Sequence, residues 1–231
     1  ILGEHTKNIN EANKITNDYI ALLENINKDN LNCNLSIKPS HIGTDISNDL
    51  FIDNLNKILD KAVASNNFIR IDMEDSSLTD ISINTYNLTN KKNLGIVLQA
   101  YLHRTESDIK NLNDNSNIRL CKGIYNEKPN IAIKNNNEIN ENYLKLLRLS
   151  FKKQIYVGIA THDKNLIAKS IKLIDEMNIQ NNCFEFQMLY GVPMDKIINT
   201  LLNKNYKVRI YVPFGPLWYE YSIRRIKENP N

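Results

Sequence analysis

Two adjacent arginines near the carboxyl terminus, Arg224 and Arg225 in the stretch YEYSIRRIKENP, are well suited to bind an anion. Guanidinium groups form paired hydrogen bonds with carboxylate or phosphate oxygens, and a short terminal helix is predicted to carry both. Adjacent helical residues point about 100° apart, so the two side chains would share a target only at the edge of that helix. The alternative is a solvated helix face on which Arg225 pairs with Glu228 or Glu220.

Two glutamines, Gln99 and Gln187, lie inside the apolar runs GIVLQAY and FEFQML. A buried amide must find hydrogen-bond partners, because burying it without them costs free energy. Two interpretations stay open from the residues alone. The amides either bond to neighbours within the core or line one polar cofactor.

Composition and cysteine spacing argue against several other classes of site. The net charge is +3 and the basic residues are scattered, so a nucleic-acid surface is not predicted. Three cysteines, Cys33, Cys121 and Cys183, lie far apart without disulfide or metal-ligand spacing, which favours a reducing cytoplasm and predicts no metal. No run approaches the ~20 apolar residues of a membrane span, so a soluble protein with at most peripheral membrane contact is expected. The Asn-rich stretch at 133–143 is interpreted as surface drift.

Seven short apolar runs, each followed by a segment with helical spacing, are predicted to be the strands that position these groups. They are residues 34–38, 68–73, 94–101, 118–123, 155–162, 184–189 and 208–215. The opening ILGEHT is predicted to end an eighth strand. Strands separated by helices pair in parallel, so an α/β fold of the (β/α)8 barrel type is expected, as one domain over residues 1–231. An open doubly wound sheet is the alternative, but the GxGxxG motif that favours it is absent.

Polar side chains close every predicted strand, and a barrel would gather them at the carboxyl-terminal face of its strands. They are Glu4, Lys38, Asp72 with Glu74, Gln99, Lys122, Thr161 with His162, Gln187, and Tyr211. For any one of them a turn or helix cap is the ordinary alternative. Asp163, for example, could simply begin a helix.

A series of motifs runs in order from the first strand to the last helix. It comprises LGE at the start, SIK at 36–38, VLQAY at 97–101, IRLCKGIY, IATHD, FEFQMLYGV and VRIYVPFGPLWYEYSIRRIKENP. Together they resemble the proline dehydrogenase family of FAD-dependent enzymes, and the RLxKGxY strand and YxxxRR helix are the most specific. The resemblance implies a distorted (β/α)8 barrel with FAD at the strand carboxyl ends. Both ends are short relative to the family, so a trimmed version of a longer chain is expected.

The resemblance also implies a substrate site. Lys38, Arg224 and Arg225 would bind the substrate carboxylate, and Glu228 would orient the second arginine. The walls of the ring pocket would include Asp72, Tyr125, Leu189 and Tyr211. The residues implied to act in catalysis are Arg119, Lys38, Asp72 and Tyr211.

For FAD, the resemblance implies a set of seven residues: Gln99, Arg119, Lys122, Gly123, Thr161, His162 and Gln187. Arg119 near flavin N5 would stabilise charge on the reduced ring. Lys122 with Gly123 suits a phosphate or ribose edge, because one supplies charge and the other lets the backbone approach closely.

The implied reaction is oxidation of L-proline to Δ1-pyrroline-5-carboxylate by hydride transfer to flavin N5, with the electrons passed on to a quinone. The expected location is the cytoplasm, with peripheral contact at the inner face of the membrane. Three alternatives stay open: hydroxyproline as substrate, a Schiff-base lyase or aldolase using Lys38 or Lys122, and a non-catalytic barrel that binds an amino acid.

Overall fold

The computed structural model describes residue 3, residues 5–89 and 91–215, and residues 218, 219 and 223. The chain divides into two compact units, residues 1–69 with 211–231, and residues 70–210. Helices and strands alternate along the described chain, as the sequence pattern predicts.

Each of the seven apolar runs predicted to be a strand contains one. The strands are β1 (Leu35–Ile37), β2 (Ile69–Ile71), β3 (Leu94–Gln99), β4 (Asn117–Cys121), β5 (Tyr156–Ala160), β6 (Phe184–Leu189) and β7 (Val208–Tyr211). The predicted eighth strand falls on ILGEHT, where Ile1, Leu2 and Glu4 lie outside the described residues. It therefore stays a prediction.

The segments with helical spacing form helices before and between these strands. They are α1 (Ile9–Lys28), α2 (Asn48–Ala64), α3 (Thr79–Thr89), α4 (Thr105–Asn111), α5 (Asn136–Lys152), α6 (Lys164–Glu176) and α7 (Asp195–Asn203). Short 3-10 turns at Pro39–Ile42 and Ser76–Leu78 precede α2 and α3. Asp163 accepts a hydrogen bond from the Leu166 amide at the start of α6, so it caps this helix, which was the alternative left open from the sequence.

Asparagine has a structural use in this chain beyond surface polarity. The Asn135 side chain caps α5, within the stretch interpreted from the sequence as surface drift. Four other asparagines stand two residues past a helix end with φ between 49° and 58°: Asn30, Asn66, Asn178 and Asn205. This left-handed conformation usually takes glycine, and asparagine tolerates it better than most side chains. With only 7 glycines in the chain, asparagine ends these helices instead.

In the first unit, α1 packs against α2, and β1 lies beside the start of β2. The Leu35 amide donates to the Phe68 carbonyl at 3.2 Å. Lys38 follows β1 directly and precedes the 3-10 turn that begins with Pro39. The position of Lys38 at the end of β1 is therefore set by the pairing of β1 with β2.

In the second unit, neighbouring strands follow chain order from β2 to β7. The pairs from β3 to β6 are parallel, as the alternation with helices predicts. The register places Arg119 of β4 beside Gly158 of β5, and Gly158 beside Glu185 of β6. These three residues therefore share one face of the sheet.

The central strands have one apolar face and one mixed face. The apolar face carries Ile96, Leu98, Ile118, Leu120, Val157, Ile159, Phe184 and Phe186, all buried. Helix α5 covers it: the ring of Phe151 lies 6.3 Å from that of Phe184, and the Tyr143 hydroxyl donates to the Leu120 carbonyl at 2.8 Å. The opposite face carries Val97, Gln99, Arg119, Cys121, Gly158, Ala160, Glu185 and Gln187. The polar side chains of these strands therefore lie on one face.

Candidate active site

Arg119 is the centre of a buried hydrogen-bonded cluster on the mixed face. Its Nη1 donates to Asp72 Oδ1 at 2.7 Å, and its Nε donates to Gln187 Oε1 at 2.5 Å. Only 11 % of each charged side chain, Arg119 and Asp72, is exposed. An ion pair and an amide thus fix the guanidinium group from two directions.

Gln187 is itself held from its other end by Glu185. Its Nε2 donates to Glu185 Oε1 at 2.7 Å. Glu185 also accepts from Arg209 Nε at 2.7 Å and pairs with Lys207 Nζ at 3.2 Å. Burial raises the pKa of Glu185, but the hydrogen bond and charge of Arg209 and the charge of Lys207 outweigh it, so the pKa is about 2. The carboxylate is therefore ionised at neutral pH.

Arg70 adds a second buried cation two residues before Asp72. Its guanidinium donates to Asn117 Oδ1 at 2.7 Å and to the Ile96 carbonyl at 3.3 Å. Burial, followed by the charge of Arg119, lowers the pKa of Arg70 to about 9, although Glu185 and Asp72 oppose the shift. The mixed face thus combines several cations with two buried carboxylates.

Gln99, at the end of β3, is also buried, but its hydrogen bonding is incomplete. Its side chain is 2 % exposed, and its Oε1 has no hydrogen-bond partner. The Gln99 backbone carbonyl accepts from Thr105 Oγ1 at 2.6 Å, so the backbone is fixed while the amide oxygen is not satisfied. Such an atom carries an unpaid desolvation cost that a ligand donor would remove.

Lys122, just past β4, is ion-paired with Asp163. Its Nζ lies 2.8 Å from Asp163 Oδ2, which also accepts from Asn140 Nδ2 at 3.1 Å. The hydrogen bond from Lys122 is the largest cause that lowers the pKa of Asp163 to about 2. Thr161 joins this group, because its Oγ1 accepts from the Asp163 amide at 3.2 Å. The position of the Lys122 cation is thereby linked to the start of α6.

Gly123 and His162 complete the second-unit residues implied to bind FAD. Gly123 has φ of 111°, and a Cβ there would lie 2.1 Å from Tyr101 Cδ1, so no side chain fits. His162 Nε2 accepts from the Leu189 amide at 2.9 Å. Burial lowers the pKa of His162, so the ring is neutral at neutral pH and carries its proton on Nδ1.

The remaining predicted residues are placed as follows. Lys38 follows β1 and Tyr211 ends β7, both in the first unit and half-buried. Tyr125 is half-buried in the segment between β4 and α5, and its carbonyl accepts from the Glu127 amide at 3.0 Å. Arg224, Arg225 and Glu228 lie outside the described residues. The structure thus joins two groups of the predicted set by direct hydrogen bonds: Asp72 with Arg119 and Gln187, and Lys122 with Thr161 through Asp163.

Sequence reasoning missed two residues of the Arg119 cluster, Arg70 and Glu185. The signal is in the strands FIRID and FEFQ, where apolar and polar residues alternate. Successive strand residues point to opposite faces, so Arg70 shares a face with Asp72, and Glu185 shares one with Gln187. Period-two alternation within an apolar run is therefore enough to identify both as candidates.

Within the described part of the chain, no group of three or more His, Cys, Asp or Glu side chains could hold a metal ion. Among the same residues, no helix is long and apolar enough to cross a membrane. The three cysteines, all described, are free thiols.

The chain is similar to known proteins along its full length. The family model described as proline dehydrogenase matches residues 1–231. The chain is 36% identical over 233 residues to proline dehydrogenase 2 of Bacillus subtilis (strain 168), covering 100% of this chain and 77% of that protein. It is 33% identical over 238 residues to proline dehydrogenase of Deinococcus radiodurans, covering 100% and 76%.

A solved structure supports the fold independently. The crystal structure of proline utilization A (PutA) from Bdellovibrio bacteriovorus, inactivated by N-propargylglycine, superposes with a TM-score of 0.89 at 25% identity. The match covers 100% of this chain, which spans 29% of that longer chain. The likeness confirms the predicted fold class, a distorted (β/α)8 barrel fold. On the family match and the identity to its members, this chain belongs to the proline dehydrogenase family.

Proposed function

We propose that this chain is a FAD-dependent proline dehydrogenase that oxidises L-proline to Δ1-pyrroline-5-carboxylate. The observation that carries the proposal is the buried Arg119, held by Asp72 and Gln187, in a chain that matches proline dehydrogenases from end to end.

The donor set of the site fits FAD. Gln99 offers a buried amide oxygen without a partner, suited to a donor on a flavin ring or its side chain. Arg119 and Lys122 are fixed cations of the kind that hold phosphates or stabilise a reduced flavin. The residues we assign to FAD are Gln99, Arg119, Lys122, Gly123, Thr161, His162 and Gln187. When bound, the flavin supplies the electron acceptor that takes a hydride from the ring carbon next to the proline nitrogen.

The protein's own groups bind and orient the substrate in this proposal. Lys38, Arg224 and Arg225 hold the proline carboxylate, since cations with several N–H groups match its oxygens. Glu228 orients Arg225, and the ring is enclosed by Asp72, Tyr125, Leu189 and Tyr211. Arg119, already held by Asp72, carries the positive charge that favours negative charge on the reduced cofactor.

Electrons leave the reduced enzyme to a quinone, and a peripheral contact with the inner face of the membrane would bring the protein to that acceptor. The Schiff-base alternative is not favoured, because the Lys122 ammonium is ion-paired with Asp163 at 2.8 Å, an arrangement that suits a fixed cation and not a nucleophilic amine.

Flavin spectroscopy tests the proposal directly. The protein mixed with FAD and freed of excess is expected to be yellow, and anaerobic L-proline is expected to bleach the flavin band. Hydroxyproline serves as the specificity control and should bleach it far more slowly. A protein that stays colourless, or a bound flavin that L-proline does not reduce, would contradict the proposal.

An inactivator provides a second measurement. The Bdellovibrio PutA structure was obtained after inactivation by N-propargylglycine, a compound that keeps the secondary amine and carboxylate of proline. We expect the same compound to inactivate this enzyme and L-proline to protect against it. Protection by proline would show that both occupy one site, whereas inactivation without protection would indicate reaction elsewhere.

A further inference from the structure

The Gln187 amide lies between two ionised side chains, Arg119 and Glu185. The amide oxygen accepts from Arg119 Nε at 2.5 Å, and the amide nitrogen donates to Glu185 Oε1 at 2.7 Å. A reversed amide would set its N–H groups against the guanidinium and its oxygen against the carboxylate. Both contacts would then be repulsive, so the two neighbours together permit one orientation only.

Glu185 can hold the Gln187 amide because neighbouring cations stabilise its negative charge. Only 2 % of its side chain is exposed, yet Arg209 and Lys207 both pair with it. The Tyr156 hydroxyl donates to Glu185 Oε2 at 3.1 Å, so it occupies the oxygen that Gln187 does not use. The two carboxylate oxygens thus have different partners: Oε1 accepts from Gln187, and Oε2 accepts from Tyr156.

The strand register makes room for this chain of contacts. Arg119, Gly158 and Glu185 lie side by side on β4, β5 and β6, and Gln187 follows Glu185 on the same face. A Cβ at Gly158 would lie 2.4 Å from Gln187 Nε2. Because Gly158 has no side chain, Gln187 can reach across β5 to Arg119.

We propose that Glu185 is a positioning residue: it anchors the Gln187 amide, and through that amide it holds the Arg119 guanidinium in the orientation fixed on its other side by Asp72. The inference rests on the proposed function, in which Arg119 stabilises the reduced flavin. Glu185 acts through Gln187 and not as a second charge in the site.

The first test follows the Arg119 Nε–H group itself by NMR of the whole chain labelled with ¹⁵N-arginine and mixed with FAD. Arg119→Lys assigns its signal. Hydrogen exchange at Nε is expected to be slow in the parent and at least about tenfold faster in Glu185→Met, which leaves Gln187 without its second anchor. Glu185→Gln keeps an acceptor oxygen for Gln187 and should restore most of the protection.

The matched control is Tyr156→Phe, which removes a partner of Glu185 Oε2 and leaves the oxygen that faces Gln187 untouched. Its exchange rate should stay within about threefold of the parent. Should Glu185→Met fail to fold, Glu185→Asp keeps the buried negative charge but withdraws the oxygen that Gln187 shares with Arg209, and it should speed exchange as well. Unchanged exchange in both variants, or equal acceleration in Tyr156→Phe, would overturn the proposal.

The second test measures steady-state oxidation of L-proline by the FAD-bound protein, with a soluble quinone as the electron acceptor. Glu185→Met should lower kcat about tenfold with less than a threefold change in KM, because the groups assigned to the proline carboxylate are unaltered. A loss confined to KM would contradict a role through Arg119. If no variant, nor the parent, binds FAD or oxidises proline, the proposed function fails, while the exchange measurement still decides whether Glu185 anchors Gln187.

Discussion

Gln99, the last residue of β3, and Gln187, two residues before the end of β6, are almost equally buried, at 2 % and 4 % exposure, yet their amides differ in hydrogen bonding. Gln187 has an ionised partner at each end of its amide, Arg119 and Glu185. Gln99 has a buried oxygen with none. The first amide is held by partners within the protein, and in the proposed function the second has an oxygen left for a ligand.

This difference explains how one face of a sheet provides both rigidity and affinity. The Arg119 cluster satisfies its groups internally, so its geometry is set before any ligand arrives. In the proposed function, the Gln99 oxygen makes its hydrogen bond only when FAD binds, so the cost of burying it in the free protein becomes a gain in affinity. Substitutions at the two positions should therefore have opposite profiles on stability and binding.

The largest effect is expected from Gln187→Leu. It removes one charge-assisted hydrogen bond from the Arg119 guanidinium and one from the Glu185 carboxylate, which should together lower the free energy of unfolding by about 3 to 5 kcal/mol. Denaturant unfolding of the FAD-free protein measures it. A loss below about 1 kcal/mol would show that Gln187 is as loosely held as Gln99.

The next effect concerns the pH dependence of stability. The pKa of Glu185 is about 2 in the folded protein against 4.5 for an ordinary glutamate, so its contribution is complete above about pH 5 and is lost as the pH falls towards 2. The parent should lose about 3 kcal/mol more than Glu185→Gln across that range. Unfolding curves at several pH values check it, and parallel curves for the two proteins would contradict the ionised anchor.

Gly158→Ala should lower the free energy of unfolding by a smaller amount. The new Cβ would meet Gln187 Nε2 at 2.4 Å, so the amide must shift away from its partners. Overpacking of this size costs about 1 to 2 kcal/mol of unfolding free energy. Thermal unfolding is the measurement, with Ala160→Gly on the same strand as a control for backbone entropy. An unchanged melting temperature would mean that Gln187 does not need the space.

The smallest effect on stability is expected from Gln99→Leu. Removing an oxygen that has no partner should change the unfolding free energy of the FAD-free protein by less than about 1 kcal/mol. FAD affinity should nevertheless fall about tenfold, measured by titration of the flavin fluorescence. If FAD affinity were unchanged, Gln99 would be a core amide, and the contrast with Gln187 would lose its functional meaning.

Much of the architecture follows from local patterns. The runs FIRIDM, LGIVLQAY and FEFQML predict strands because β-branched and aromatic residues favour extended backbone, and each contains the strand that forms. The capping role of Asp163 was also open to prediction, since its carboxylate lies just before a helical pattern. The ion pair of that same carboxylate with Lys122 was not, because the two residues are 41 positions apart.

Residue pattern alone also identified the two buried amides, but it left open whether they serve the core or a ligand. The structure shows different hydrogen bonding for each one. Gln187 bonds within the core to Glu185, a residue that the alternation in FEFQ could have indicated, and Gln99 does not complete its bonding. The resemblance to the family supplied the remaining assignments, and those on Arg224, Arg225 and Glu228 fall outside the described residues.

By itself the sequence determined the kinds of element, the faces of the strands and the polar residues available at their ends, because these depend on spacing along the chain. Only the tertiary structure decided which polar group meets which. Arg119 and Gln187 are 68 positions apart and are joined across β5 because the register brings Gly158 between their strands. Hydrogen-bond partners within about 3 Å are set by how strands align in space, and no local pattern encodes that alignment.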